Sequence, residues 1–170
     1  MDILKTATDW AKAEVFSTAF FIVFGFAFVL ASIGFWQLGK TDMAKAYIIP
    51  TLVAGTMLLT IGFGLFFTNI SRISSFAADY NADASAFVEA EIVRVDKAIN
   101  EYKTIVFKAI PIIIAVCALL IIFMNSPVWR ASMITTIAML VVILLIDGTA
   151  RDRIEAYKAE LISLEMPLNK

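Results

Sequence analysis

Residues 141–158 read VVILLIDGTARDRIEAYK: six aliphatics pass, with no proline between, into an acid, a glycine and a strongly charged run. Such a junction is either a carboxylate held inside a membrane or the place where a membrane helix leaves the hydrocarbon. Going backward, residues 131–146 carry no Asp, Glu, Lys or Arg, and Pro127 opens the segment. A helix begun at Pro127 or Val128 reaches Asp147 after about 20 residues, which at 1.5 Å per residue is close to the roughly 30 Å of hydrocarbon. Asp147 therefore reads as the inner boundary of a span, with Arg130 snorkelling outward at the other end.

Three more stretches lack acids and bases, at 15–39, 46–71 and 109–129. A charge at the centre of a bilayer helix costs roughly 2.5 to 3.5 kcal/mol, so charge-free runs of this length mark spans. Composition agrees, with 61% hydrophobic and 17% charged residues and a mean hydropathy of +0.85, well outside the range of a soluble domain. The expected fold is an all-α integral membrane protein with four transmembrane helices, TM1 at 15–38, TM2 at 46–71, TM3 at 109–126 and TM4 at 127–148. Residues 1–14 read as an amphipathic lead-in that places Trp10 at the interface. Three acids among them and the length of the apolar run speak for a retained helix over a cleaved signal peptide. Pro50 and Pro127 suit first helical turns, whereas Pro111 falls one turn inside a helix and predicts a modest kink.

Eleven of the fourteen basic residues, all but Lys40, Lys45 and Arg130, lie before TM1, between TM2 and TM3, or after TM4. Basic residues collect on the cytoplasmic side, so both termini are expected there, with Trp36, Tyr47 and Trp129 at the opposite interface.

The most specific pattern lies outside the predicted spans. Val88, Ile92, Val95, Ile99, Tyr102, Val106, Ala109 and Ile113 recur at gaps alternating four and three, a heptad seam. The tail repeats it in Ala150, Ile154, Tyr157, Leu161 and Leu164, and backward extension adds Asp147, Ile143, Leu140 and Thr136. The short connection at 125–127 makes TM3 and TM4 antiparallel neighbours. A helix over 84–108, continuous with TM3, should then meet a helix over 149–166, continuous with TM4, in a coiled-coil-like cytoplasmic hairpin. Its seam is Ile92, Val95, Ile99 and Tyr102 against Ile154, Tyr157 and Leu161. A turn at 72–83 precedes it, with Asn81 or Asp83 as the N-cap. At the boundary, Lys108 and Asp147 fall at equal depth, which predicts an ion pair shared with Arg151. Within the spans, Gly25, Ala27, Ala31 and Gly34, with Gly55, Gly62 and Gly64, supply sites for close packing, inside one chain before between copies.

Chemistry finds little to stand on. There is no histidine, and the single cysteine, Cys117, lies in the apolar run PIIIAVCALLII, away from any base. DGTAR at 147–151 lacks the spacing and the downstream aspartates of the CDP-alcohol phosphotransferase signature. No enzyme activity, metal or cofactor is expected. A net charge of −1 gives no sign of nucleic acid as a partner. The bilayer is the first partner, and a homo-oligomer or a protein docked on the hairpin is the second. Three roles fit: a scaffold or accessory subunit with a cytoplasmic docking hairpin; an oligomeric ion channel or small-solute pore lined by TM2, where Thr56, Thr60, Thr68 and Ser71 share one side; or a toxin-immunity or stress protein of the membrane.

Overall fold

The computed structural model describes the backbone of residues 3–168 and side chains through Ser163. The described chain is all helical: α1 (Ile3–Leu38), α2 (Asp42–Ala46), α3 (Ile48–Ala82), α4 (Ala84–Glu101), a π segment (Tyr102–Ala109), α5 (Ile110–Phe123) and α6 (Pro127–Leu168). With α4, the π segment and α5 forming one continuous rod, four helices are long and apolar enough to cross a membrane.

Each rod ends where the sequence supplies a reason. Thr41 caps α2 by accepting from the amide of Ala44, and Asp83, in extended conformation, caps α4 by accepting from Ala86. Of the two candidates for that cap, Asp83 is the one used. The segment 72–83 is not a turn, however. Helix α3 runs through to Ala82, because no glycine or proline interrupts residues 65–82, and the reversal is confined to Asp83. The lead-in is likewise no separate surface helix. Residues 3–14 continue straight into α1, and Ile3, Ala7, Trp10 and Ala11 are buried in an apolar core with Phe76, Phe87, Val88, Val95, Ile99, Ile154, Tyr157 and Leu161. What reads from sequence as a two-helix hairpin is thus half of a four-helix bundle. Amphipathic helices that find apolar partners in the same chain bury their stripes there.

The extra neighbours shift the buried face of α4. Ile92 and Tyr102 of the predicted seam are only half-buried, whereas Phe87 and Glu91 are buried. A second shift follows at the π segment. Beyond Val106 the inward positions are Ile110, Ile114 and Cys117, not Ala109 and Ile113, so the seam slips by one residue. Pro111 explains the slip. Its ring nitrogen has no hydrogen to give the carbonyl four residues back, and the backbone relaxes into wider turns, as in the bond from the amide of Ile110 to the carbonyl of Ile105. The expected kink is therefore a π insertion. In α6 the predicted positions Ala150, Ile154, Tyr157 and Leu161 are buried, and the Leu164 side chain lies outside the described residues.

In the apolar half, α1 and α3 make the closest crossing. A Cβ built at Gly25 would lie 2.9 Å from the backbone nitrogen of Leu59, and one at Gly55 would lie 2.8 Å from the carbonyl oxygen of Gly25. Gly62 meets Ile22 in the same way, whereas Gly34 and Gly64 have nothing within 4 Å. Close approach of this kind is how helices associate in lipid, where apolar burial gives no drive. Helix α6 packs on α1, α3 and α5, whereas α3 makes no close backbone approach to the π segment or to α5. That gap positions the site described next.

Candidate functional site

Between α3 and the π segment, with α1 and α6 as its floor, lies a cavity of about 460 Å³. Glu14, Ser17, Asn69, Arg72, Arg94, Tyr102 and Asp147 bring polar groups to it, and Phe21, Leu65, Ile105 and Ile146 bring apolar walls. It sits where the charged half of the bundle meets the apolar half. Its volume is in the range of small-molecule sites.

The outer end is a closed polar network. Glu91 is buried, at 6% exposure, and receives Arg94 through Nε at 2.8 Å and through a second nitrogen at 2.6 Å. The hydroxyl of Tyr157 donates to the same carboxylate at 2.9 Å. Trp10 stacks on Tyr157 with ring centroids 5.0 Å apart, and the Arg94 guanidinium covers the indole at 4.4 Å. Three helices are locked together by four side chains. Burial pushes the Tyr157 phenol above its ordinary range, and the Glu91 carboxylate pushes it further. Close by, Arg72 donates to Asn69 at 2.8 Å, and burial together with the neighbouring Arg94 holds its guanidinium below the usual value.

Further in, Arg153 donates to Glu14 at 3.0 and 3.1 Å, joining α6 to α1. Burial raises the Glu14 carboxyl above its ordinary value even against the attraction of Arg153, Arg94 and Arg72. An acid raised in the folded state takes up a proton on folding, so its contribution to stability is full below its unfolded value and is lost as pH rises through the folded one. Stability should therefore decline with pH from about 4.5 upward through this group, and Glu14→Gln should flatten that slope. Denaturant titrations of wild type and variant across pH 4 to 7 check it. An unchanged slope in Glu14→Gln would assign the pH response to another group.

Asp147 is the odd member. Among the described residues its side chain makes no hydrogen bond and no ion pair. The expected pairing with Lys108 and Arg151 is not formed. Arg151 turns to Glu155 at 2.9 Å and covers the Phe107 ring at 5.0 Å, and Lys108, rotated by the π segment, is exposed. Asp147 opens on the cavity instead. It lies six residues before Arg153 on α6, about 9 Å deeper along the helix than the Glu14–Arg153 pair. Tyr102 stands near it: burial raises that phenol well above its ordinary range, and the carboxylates of Asp147 and Glu14 add to the rise.

The other predicted residues fall elsewhere. Thr56, Thr60 and Thr68 are exposed and donate to the carbonyls of Leu52, Thr56 and Gly64 on their own helix, and Ser71 is exposed. None lines the cavity. Hairpin residues Ile92, Val95, Ile99, Tyr102, Ile154, Tyr157 and Leu161 join a single apolar cluster, with Lys158 bridging to Asp96 beside it. The sequence reading missed Glu14, Arg72, Glu91 and Arg94, which a charge count assigns to solvated faces. A heptad in which Glu91 falls between Val88 and Val95 was the available signal.

No protein-family model, curated protein or solved structure matches the chain.

Proposed function

We propose that the protein is a non-enzymatic, multi-pass membrane protein that works by association, with both termini and the four-helix extension in the cytoplasm, where the extension docks a protein partner. The observation that carries the reading is the exposed side of α4. Ala86, Ala90 and Val93 form an apolar stripe at gaps of four and three, and Val93 is 65% exposed on an extension whose other apolar faces are largely buried. A stripe of this spacing is what a partner helix takes. The extension that presents it is held rigid by its apolar core and by the Glu91 network.

A photo-reactive residue at Val93, with one at Asp152 on α6 as the control, tests the docking in intact membranes. A discrete adduct at 93 that disappears in Ala90→Lys supports it. Absence of adducts at both positions, in a protein that folds, counts against it. Orientation is checked by Asn81→Cys, which an impermeant maleimide should label only from the cytoplasmic side. Reconstituted vesicles should show no ion flux above empty ones; a flux abolished by Thr56→Val would revive a pore lined by TM2 in place of a scaffold.

A further inference from the structure

The cavity carries a second reading, independent of docking: we infer that it is a binding site for a small organic ammonium ion with an apolar body, anchored on Asp147. Four observations converge. The Asp147 carboxylate is unpartnered among the described residues and lines the cavity. The basic residues that follow it on α6 are taken, Arg153 by Glu14 and Arg151 by Glu155, and Arg72 and Lys97, which line the same cavity, make no ion pair with it. The aromatic rings of Phe21 and Tyr102 and the hydroxyl of Ser17, which has no partner of its own among the described residues, line the same space. Leu65, Ile105 and Ile146 complete an apolar wall beside the charge.

Of the three basic side chains that line the cavity, Arg94 is well removed. Arg94 covers Trp10, which stacks on Tyr157, ten residues beyond Asp147 on α6 and so about 15 Å along the helix. The inner end presents a carboxyl group without an ion-pair partner among the described residues, beside apolar and aromatic side chains. A half-buried carboxylate there gains from a cation that meets it. A divalent metal is a poor fit, because no group of three acidic, cysteine or histidine side chains forms among the described residues. A protonated amine fits better: it donates to Asp147 and Ser17, meets ring faces through cation–π attraction, and leaves its hydrocarbon part against Leu65 and Ile105. The entry we infer is the gap between α3 and the π segment, which make no close backbone approach. The ammonium can come from a free amine or from an aminophospholipid head.

The test uses the full chain in discs of phosphatidylglycerol, a lipid without an amino group. With Trp36→Phe and Trp129→Phe, Trp10 on the cavity wall becomes the fluorescent reporter. Benzylammonium should produce a saturable change, and uncharged benzyl alcohol should bind roughly tenfold or more weakly, the loss of one charge-assisted hydrogen bond. Asp147→Asn should weaken benzylammonium by a similar factor, with Asp147→Glu restoring most of the affinity. Equal responses to amine and alcohol, no saturable response, or unchanged affinity in a folded Asp147→Asn would overturn the assignment. Adding phosphatidylethanolamine separates the sources within the supported proposal: competition assigns the site to the lipid head, and unchanged affinity assigns it to a free amine.

Discussion

Glu91→Ala is expected to destabilise the protein by about 3 to 5 kcal/mol. Two groups lose their partner at once. Arg94 is held by two nitrogens at 2.8 and 2.6 Å, and its side chain is only 23% exposed, so its charge cannot recover full hydration. The Tyr157 hydroxyl, which donates to the same carboxylate, is left buried without an acceptor. Because Trp10 stacks on Tyr157 and lies under Arg94, the loss spreads to the contact between α1 and α6. Glu91→Gln keeps an acceptor for both donors and should recover a large part of the difference. Unfolding by denaturant titration in micelles measures both. A change below about 1 kcal/mol for Glu91→Ala would mean that the network is ornamental and the apolar core alone holds the extension.

Gly55→Val is the second. The alanine-sized first carbon of any side chain there would lie 2.8 Å from the carbonyl oxygen of Gly25 and 2.9 Å from the backbone nitrogen of Val29. Backbone atoms of a helix cannot swing aside, so α1 and α3 must separate. Overpacking of this kind costs about 1 to 3 kcal/mol, and in lipid no apolar burial offsets the lost contact. Gly64→Val is the matched control, since nothing lies within 4 Å of its added carbon, and it should stay within about 1 kcal/mol of wild type. Thermal denaturation in the same detergent compares them. Equal behaviour of the two variants would show that the α1–α3 crossing yields without cost.

The two predictions differ in how far the sequence alone leads to them. Gly55 belongs to a set of small residues legible at once, yet Gly34 and Gly64 carry the same signal and pack against nothing. Small size permits close approach; only the crossing point decides which glycine is used. Glu91 gives the opposite lesson. A lone acid on an exposed-looking helix reads as solvated, and its burial depends on Trp10 and Tyr157 arriving from residues far away in the chain.

Hydrophobic length and charge placement determined the four membrane-length helices and the buried stripe of α6, because each depends on residues a few positions apart along one helix, and they narrowed the α4 cap to Asn81 or Asp83. Only the tertiary structure decided the rest. The lead-in and the end of α3 are bundle members and not a surface helix and a turn, since an amphipathic stripe does not say which apolar surface will cover it. The π segment moved Lys108 away from Asp147, since a one-residue slip at Pro111 rotates everything around it. Asp147 was read as the boundary of a span. The fold adds that it lies about 9 Å along α6 from the Glu14–Arg153 pair, unpartnered on a cavity wall, because α3 and the π segment stay apart there.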